Sequence, residues 1–326
     1  MIVVGGSVGW GALRRSVKGT HRWTCIWLAA LLTAPAFACA ANSSFAQQGQ
    51  AEQPRIEALP PPHLTMDPEL DASFRLLYEL KFEKGRARIA VWEQVHPGEP
   101  LGPALEAAAN LFEEFYEKDV FTSEFFLDDK RLLGGIAGEP DAALDRQFWA
   151  AAKRAEEEGR ARLADNPRDA DSLFALTLVA GMRADDVSLI QRRQFESLHY
   201  LKEAEKYGET LLAQAPDTTD AYLALGAANY ITGCLPTYKR ALLWVGGIHG
   251  DKKAGMQQLS RTASDGHYLR PFAKLLLALA SLREKNEDVT RVQLAELAGE
   301  FPDNPLFARE LAKLTPRISG SRPSEQ

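Results

Sequence analysis

The sequence predicts an all-α superhelix, a solenoid of irregular helix pairs, over residues 68–315. Apolar residues recur there at i, i+3, i+4 and i+7, which is the spacing of one face of a helix. The same punctuation, containing proline and a capping residue, separates successive helical stretches, and β-branched residues are not clustered as they are in strands. Helix pairs that cannot bury their apolar faces alone stack on their neighbours, so a curved array is expected.

Residues 1–46 have the layout of a secretory signal peptide. Four basic residues and no acidic residue occur in this part, and an apolar run at 23–41 is followed by small and polar residues. We expect cleavage after Ala46 and export to the periplasm. Two alternatives would keep the protein on the envelope: retention of the apolar run as an anchor, or lipidation of Cys39, because residues 36–39 resemble a bacterial lipoprotein cleavage site.

The segments that flank the helical domain have a different composition. Residues 47–67 are polar and rich in proline, which predicts a linker, and residues 316–326 predict a disordered tail. After residue 46 the chain holds 34 basic and 44 acidic residues and no long basic run, so a nucleic-acid partner is not expected. Signal cleavage would leave Cys234 as a lone cysteine, which cannot form an internal disulfide.

Two helices show the periodic pattern and its punctuation. Proline and aspartate at 166–171 precede an apolar helix, and the same residue types at 215–220 precede a second one at 219–233. Proline ends the incoming helix, and an aspartate or threonine oxygen accepts hydrogen bonds from the first N–H groups of the next. Further long helices are predicted at 140–165 and 188–215.

The clearest repeat unit covers the 34 residues 271–304. It contains an apolar helix, a polar turn, a second helix and the closing Pro302. This layout resembles a tetratricopeptide repeat, with Leu277 and Ala278 at the leucine and small-residue positions of the first helix. Leu225 and Gly226 match the leucine–glycine pair, where a small residue lets two helices cross closely. The resemblance implies a concave surface that binds extended peptides or helices.

Residues 233–256 carry a second resemblance, to the eukaryotic tetratricopeptide family tied to inclusion-body clearance and to bacterial relatives. Both have a Leu-Pro pair, a short apolar helix and a Gly-x-x-Gly-Asp-basic sequence. The resemblance implies protein association without known chemistry. The candidate interaction insert at 233–250 and its edge comprises Leu235, Pro236, Trp244, Gly247, Gly250 and Asp251.

The glycines of this segment do not fit a phosphate-binding loop. Such a loop needs a lysine after its last glycine and then a hydroxyl residue. Here Asp251 follows Gly250 and would repel phosphate, and Lys252 is followed by another lysine. We expect a loop between helices, with Asp251 capping the second one.

Two Glu-x-x-His units could together form a di-metal site in a helical bundle. They are Glu93 with His96, and Glu196 with His199. His96 stands before Pro97 at a predicted helix end, and Glu196 lies in a strongly charged stretch, so neither unit is expected to bind metal.

An aromatic cluster occupies the segment before and within residues 117–139. One interpretation is a groove for a peptide or acyl chain, and the favoured one is ordinary core between two helices. The cluster comprises Phe112, Phe115, Tyr116, Phe121, Phe125 and Phe126.

These patterns predict a non-catalytic exported scaffold or adaptor that binds an unidentified protein or peptide and needs no cofactor. Membrane association is expected only through the N-terminal segment. Two alternatives remain open: a carrier of lipid or another apolar ligand in a helical groove, and a di-metal helical oxidase that uses the Glu-x-x-His units.

Overall fold

The computed structural model describes residues 62–245 and 247–314, and within these ranges it contains fourteen α-helices and no strand. The predicted all-α, solenoid-like fold is confirmed. The predicted signal peptide with Cys39, most of the proline-rich segment and the predicted C-terminal tail lie outside the described residues.

The α-helices are α1 (Pro68–Tyr78), α2 (Phe82–Val95), α3 (Leu101–Glu117), α4 (Ser123–Leu127), α5 (Asp129–Gly134), α6 (Ala142–Asp165), α7 (Ala170–Asp185), α8 (Gln194–Gln214), α9 (Tyr222–Cys234), α10 (Thr237–Val245), α11 (Lys252–Asp265), α12 (Arg270–Arg283), α13 (Glu287–Glu300) and α14 (Pro305–Lys313). A π-helical turn (Asp186–Ile190) follows α7, and a 3-10 turn (Thr219–Ala221) precedes α9.

Five helix pairs form the array: α1 with α2, α3 with α6, α7 with α8, α9 with α11, and α12 with α13. Contacts between α2 and α3, α6 and α7, α8 and α9, and α11 and α12 join each pair to the next, and α14 covers the last pair. The short helices α4, α5 and α10 are inserted within two of the pairs.

The predicted punctuation supplies a helix cap at 166–171 but not at 215–220, where no side chain caps the 3-10 turn or α9 and the Asp220 carboxylate instead accepts hydrogen bonds from the backbone of His267 and Leu269. The side chains of Asp141, Asp169, Asp251 and Asn304 accept hydrogen bonds from backbone N–H groups in the first turns of α6, α7, α11 and α14. For Asp251 the distance from Oδ1 to the Lys253 nitrogen is 2.8 Å. Each cap of this kind contributes about 1 kcal/mol.

One helix boundary differs from the prediction. Residues 188–215 do not form a single helix, since α8 begins at Gln194 and the π-helical turn occupies Asp186–Ile190. Arg192 has a φ of 57°, a left-handed conformation that breaks the helical path. The periodic pattern continues across this break, which is why the sequence alone does not show it.

Small residues allow α9 and α11 to cross closely, as the leucine–glycine pair predicted. A Cβ on Gly226 would lie 2.9 Å from the backbone nitrogen of Leu259, and one on Gly255 would lie 2.5 Å from the nitrogen of Tyr230. Both contacts are with backbone atoms, so a larger side chain would force the two helices apart.

The two ends of the array meet. The Tyr78 hydroxyl in α1 donates a 2.8 Å hydrogen bond to the carbonyl of Tyr268, and the Asn304 amide donates one of 2.7 Å to the carbonyl of Tyr78. The rings of Phe74 and Tyr268 stack with their centroids 4.7 Å apart. Distant parts of the superhelix are therefore in contact, and its inner surface lines an interior space.

The last residues of the proline-rich segment attach to the helical domain. Leu64 is buried, and the Thr65 hydroxyl donates a 2.6 Å hydrogen bond to Asp171. Asp67 caps α1 and accepts a 2.7 Å hydrogen bond from the Trp92 indole. Positions 62–67 are thus part of the folded domain.

Candidate functional site

The closed superhelix surrounds a cavity of about 700 Å³. Residues from α1, α3, α4 and α5 and from each of the helices α7 to α12 line it. This volume lies within the range of small-molecule binding sites, which are concave and mostly apolar.

One wall of the cavity is aromatic. Phe121 meets Phe112 edge to face at 5.7 Å and Phe115 at 5.8 Å, and Phe272 of α12 packs on Phe112 at 4.8 Å. The aromatic cluster is thus both buried core and cavity wall, so the two interpretations of the sequence are compatible. The members that line the cavity are Phe112, Phe115, Phe121, Phe125 and Phe126; Tyr116 packs instead near Phe82.

Small side chains on α7 and α9 keep the space open. Ala224, Ala227 and Ala228 occupy one face of α9 and line the cavity. A Cβ placed on Gly181 of α7 would meet only the Ala224 Cβ, at 4.0 Å. Larger residues at these positions would fill the space that the aromatic wall faces.

The cavity extends from the surface into the interior. Phe195 at the start of α8 and Tyr238 in α10 line it and are 75% and 71% exposed, whereas Phe125 lines it and is fully buried. The mouth therefore lies between the beginning of α8 and helix α10, and the closed end lies at the aromatic wall.

Some residues of the candidate interaction insert lie at this mouth, and the others lie in the connection between α10 and α11. Leu235 lines the cavity, Pro236 is exposed, and Trp244 is 67% exposed. Gly247 has a φ of 79°, which favours glycine, and a Cβ on Gly250 would lie 2.5 Å from the nitrogen of Gly233.

Asp251 lies at the start of α11, and Cys234 lies at the end of α9. Asp251 caps α11, as the sequence predicted, and lies at a helix start rather than in a phosphate-binding loop. Cys234 at the end of α9 is a half-buried free cysteine. The insert thus offers exposed apolar side chains on α10 and a rigid connection to α11.

Most polar groups in the cavity wall have protein partners. The hydroxyl of Thr177 donates to the carbonyl of Leu173 at 2.7 Å, and that of Ser197 donates to the carbonyl of Gln194 at 2.8 Å. The Tyr230 hydroxyl bonds to the Glu284 carboxylate at 3.0 Å. These groups are satisfied and leave mainly carbon atoms facing the cavity.

Asp185 is a carboxylate in this apolar wall. Its side chain lines the cavity and is exposed to that space, so it touches cavity solvent rather than packed protein. Its position deep among protein atoms, away from bulk water, together with the adjacent Asp186, raises the pKa of Asp185 to about 7. Burial also raises the pKa of Asp186 to about 6, while a hydrogen bond from Gln191 opposes this shift.

The first Glu-x-x-His unit is engaged in other contacts. Glu93 pairs with Arg154 at 3.0 Å. The backbone N–H of His96 caps the end of α2 by donating to the Trp92 carbonyl, and the His96 ring stacks on Trp92 at 4.3 Å.

The second unit lies on α8, where Glu196 pairs with Arg193 and His199 is exposed. Within the described residues no three histidine, cysteine, aspartate or glutamate side chains form a group that could hold a metal. The two units therefore do not converge, and the absence of a metal or cofactor remains a prediction.

No protein-family model matches this sequence, and a comparison with curated proteins gives no match. Membership of the tetratricopeptide family therefore remains a prediction from the residues quoted above. None of the described helices is long and apolar enough to span a membrane.

Sequence reasoning missed the alanine face of α9 and the carboxylate of Asp185. Ala224, Ala227 and Ala228 have helical spacing, but that spacing is equally typical of close helix packing. The Asp185-Asp186 pair at the end of an apolar helix was the available signal, since adjacent acids beside buried residues are unusual.

Proposed function

We propose that this protein is a non-catalytic carrier that holds an elongated apolar ligand, such as the acyl chain of a lipid, inside the closed superhelix. The observation that carries the proposal is the interior cavity of about 700 Å³ with its aromatic and alanine walls. Burying apolar ligand surface there would contribute about 25 cal/mol per Å².

The closure of the array favours this function over binding along the inner face. An extended peptide would have to enter the interior through the mouth and would leave backbone N–H and C=O groups against aromatic carbon, without hydrogen-bond partners. A hydrocarbon chain carries no such groups. The open mouth near Phe195 and Tyr238 gives it a route to the interior.

Native mass spectrometry of the full chain, combined with Nile red binding after delipidation, tests the proposal. A copurified lipid mass, or saturable Nile red binding at one site, is expected. Ala227→Phe adds a ring on the cavity face of α9 and should reduce binding at least tenfold. The matched control Ala161→Phe adds the same ring at an exposed position of α6 and should leave binding unchanged. Equal binding by both variants would contradict the proposal.

The N-terminal sequence supports an envelope location for this carrier. The basic start, the apolar run at 23–41 and the small-residue sites before Ala46 are typical of exported proteins. Cell fractionation should find the protein in the periplasm, or in membranes if Cys39 is lipidated. Labelled-palmitate incorporation that is lost in Cys39→Ala would distinguish these two locations.

A second candidate function is association with another protein through α10. Tyr238, Trp244 and Val245 are 71%, 67% and 79% exposed, and exposed apolar groups of this kind occur at interaction surfaces. Photo-crosslinking in cells should capture one partner from α10. Trp244→Ser should abolish that capture, while Val292→Ser, at an exposed apolar residue of α13, should retain it. Retention by both variants would exclude α10.

A further inference from the structure

We propose that Asp185 anchors the polar head of the cavity ligand, which is therefore an amphiphile whose head donates a hydrogen bond, such as an amine or a hydroxyl. The inference rests on the proposed carrier function and adds the chemical class of the ligand. It excludes a plain hydrocarbon and a fatty-acid anion as the preferred ligand.

The chain fixes Asp185 at an irregular point of the fold. It is the last residue of α7, and the π-helical turn Asp186–Ile190 begins directly after it. The Asp185 carbonyl accepts a hydrogen bond from the Ser188 hydroxyl at 3.2 Å. Such π-helical turns occur frequently at functional sites because they redirect side chains from the regular helical face.

The loop after α5 holds this turn in place. The backbone nitrogen of Ile136 donates a 2.7 Å hydrogen bond to the Leu189 carbonyl. Gly135 has a φ of 92°, and a Cβ on it would lie 2.6 Å from that same carbonyl oxygen. The position of Asp185 is therefore supported by tertiary contacts as well as by its own helix.

The carboxylate of Asp185 has no hydrogen-bond or ion-pair partner among the residues that the structure describes. Thr177, Ser197 and Tyr230, which line the same cavity, all bond to protein groups. An ionised carboxylate in an apolar space is costly unless a donor or a cation satisfies it. A ligand head that donates a hydrogen bond would supply that partner, and its chain would lie along the apolar walls.

The charges around Asp185 favour a donor or a cation over an anion. Asp186 is the neighbouring charge that acts on Asp185, and Asp145 of α6 and Glu114 of α3 act on Asp186 with the same sign. The lining residues on α9 include alanines and no charged side chain. The charges that act on Asp185, directly or through Asp186, are therefore negative.

Two basic side chains also line the cavity, and they offer a second way in which a ligand head could bind. Arg192 and Lys239 are exposed residues near the mouth, and the Arg192 Nε donates a 2.6 Å hydrogen bond to the Ile136 carbonyl. A fatty-acid anion could bind with its head at these cations and its chain pointing inward. Ligand selectivity distinguishes the two orientations.

The position of Asp185 in the cavity wall and its raised pKa together predict that ligand affinity depends on pH. Above pH 7 the carboxylate is ionised and pairs with an ammonium head, and below pH 7 it is protonated and loses that attraction. One pH unit of linked protonation corresponds to a tenfold change in affinity. The preference for dodecylamine over laurate should therefore be at least about tenfold greater at pH 8.5 than at pH 5.5.

The experiment measures displacement of Nile red from the delipidated full chain by dodecylamine, dodecan-1-ol, laurate and methyl dodecyl ether. Wild type should bind the amine and the alcohol at least about tenfold more tightly than laurate or the ether at pH 8.5. Asp185→Asn should lose the pH-dependent preference for the amine. Asp186→Asn is the matched control, because its carboxyl lies next to Asp185 but outside the cavity wall. This variant should keep the preference for the amine, and the pH at which half of that preference has developed should be lower than in wild type.

The outcomes separate the inference from the carrier function. Saturable binding of all four probes with similar affinity, or an unchanged amine preference in Asp185→Asn, would overturn the role of Asp185 and leave the carrier intact. Tightest binding of laurate would assign the head to Arg192 and Lys239 instead. Failure of every probe to displace Nile red would overturn the carrier function and the inference together. Circular dichroism of each variant confirms that the helical fold is retained.

Discussion

The hydroxyl of Tyr78 in α1 donates a 2.8 Å hydrogen bond to the backbone carbonyl of Tyr268, which lies 190 positions further along the chain. Both residues are buried, and burial raises the pKa of each phenol, so both hydroxyls stay protonated as donors. This bond joins the first and last parts of the helical array. Together with the Asn304–Tyr78 hydrogen bond and the Phe74–Tyr268 stack, it brings the two parts into contact around the cavity.

Removing this bond should destabilise the closed array. Tyr78→Phe leaves the Tyr268 carbonyl buried without its donor, and we expect a loss of about 1–3 kcal/mol in the free energy of unfolding. Urea denaturation followed by circular dichroism measures the change. Tyr238→Phe, at an exposed tyrosine, should change stability by less than about 0.5 kcal/mol. An equal loss in both variants would show that the hydroxyl of Tyr78 does not stabilise closure.

The α9–α11 crossing should not tolerate a side chain. Gly226→Ala places a methyl group 2.9 Å from the backbone of α11, so we expect overpacking to cost about 1–3 kcal/mol. Gly299→Ala in α13 is a control, since its Cβ would meet no atom within 4 Å. Alanine there should stabilise the protein by about 0.4–1 kcal/mol. Thermal unfolding should thus shift in opposite directions for the two variants, and a shift in the same direction would argue against the close crossing.

The stability of the ligand-free protein should fall as the pH rises through the titration of Asp185. Its folded-state pKa of about 7 lies above 3.8, the pKa of an aspartate free in water, so the folded protein binds more protons than the unfolded chain between these values. The free energy of unfolding contributed by this group therefore decreases from about pH 4 to about pH 7. Asp185→Asn should flatten this decrease in a series of urea titrations. A variant that keeps the full pH dependence would assign it to other groups.

Truncating buried side chains of α12 should strongly reduce the free energy of unfolding. Leu277 is buried, as the repeat pattern predicted, and truncation to alanine should cost about 2–5 kcal/mol through lost contacts and a residual void. Val292→Ala in α13 removes apolar atoms from a side chain that is 51% exposed and should cost much less. Chemical denaturation of the two variants compares them directly, and similar losses would contradict the central position of α12.

Local features of the fold could be predicted because they depend on neighbouring residues. The helix at 140–165 matches α6, Asp169 of the punctuation at 166–171 caps α7, and Asp251 caps α11 as expected. The punctuation at 215–220 gives α9 no side-chain cap, because Asp220 bonds to the backbone before α12 instead. Capping and periodicity act within about one helical turn. The break before α8 was missed because the π-helical turn Asp186–Ile190 and the turn at Arg192 depend on contacts with the distant 134–136 loop.

The sequence by itself determined most of the long helices, several of their caps and the need for a small residue at Gly226, because each follows from spacing and steric size along a short stretch. Only the tertiary structure decided that the array closes and that Asp185 faces an apolar space. Closure depends on the sum of small rotations between successive helix pairs and on contacts such as Tyr78 with Tyr268. No short stretch of sequence encodes that sum of rotations. The cavity and the position of the Asp185 carboxylate are therefore seen only in the packed structure.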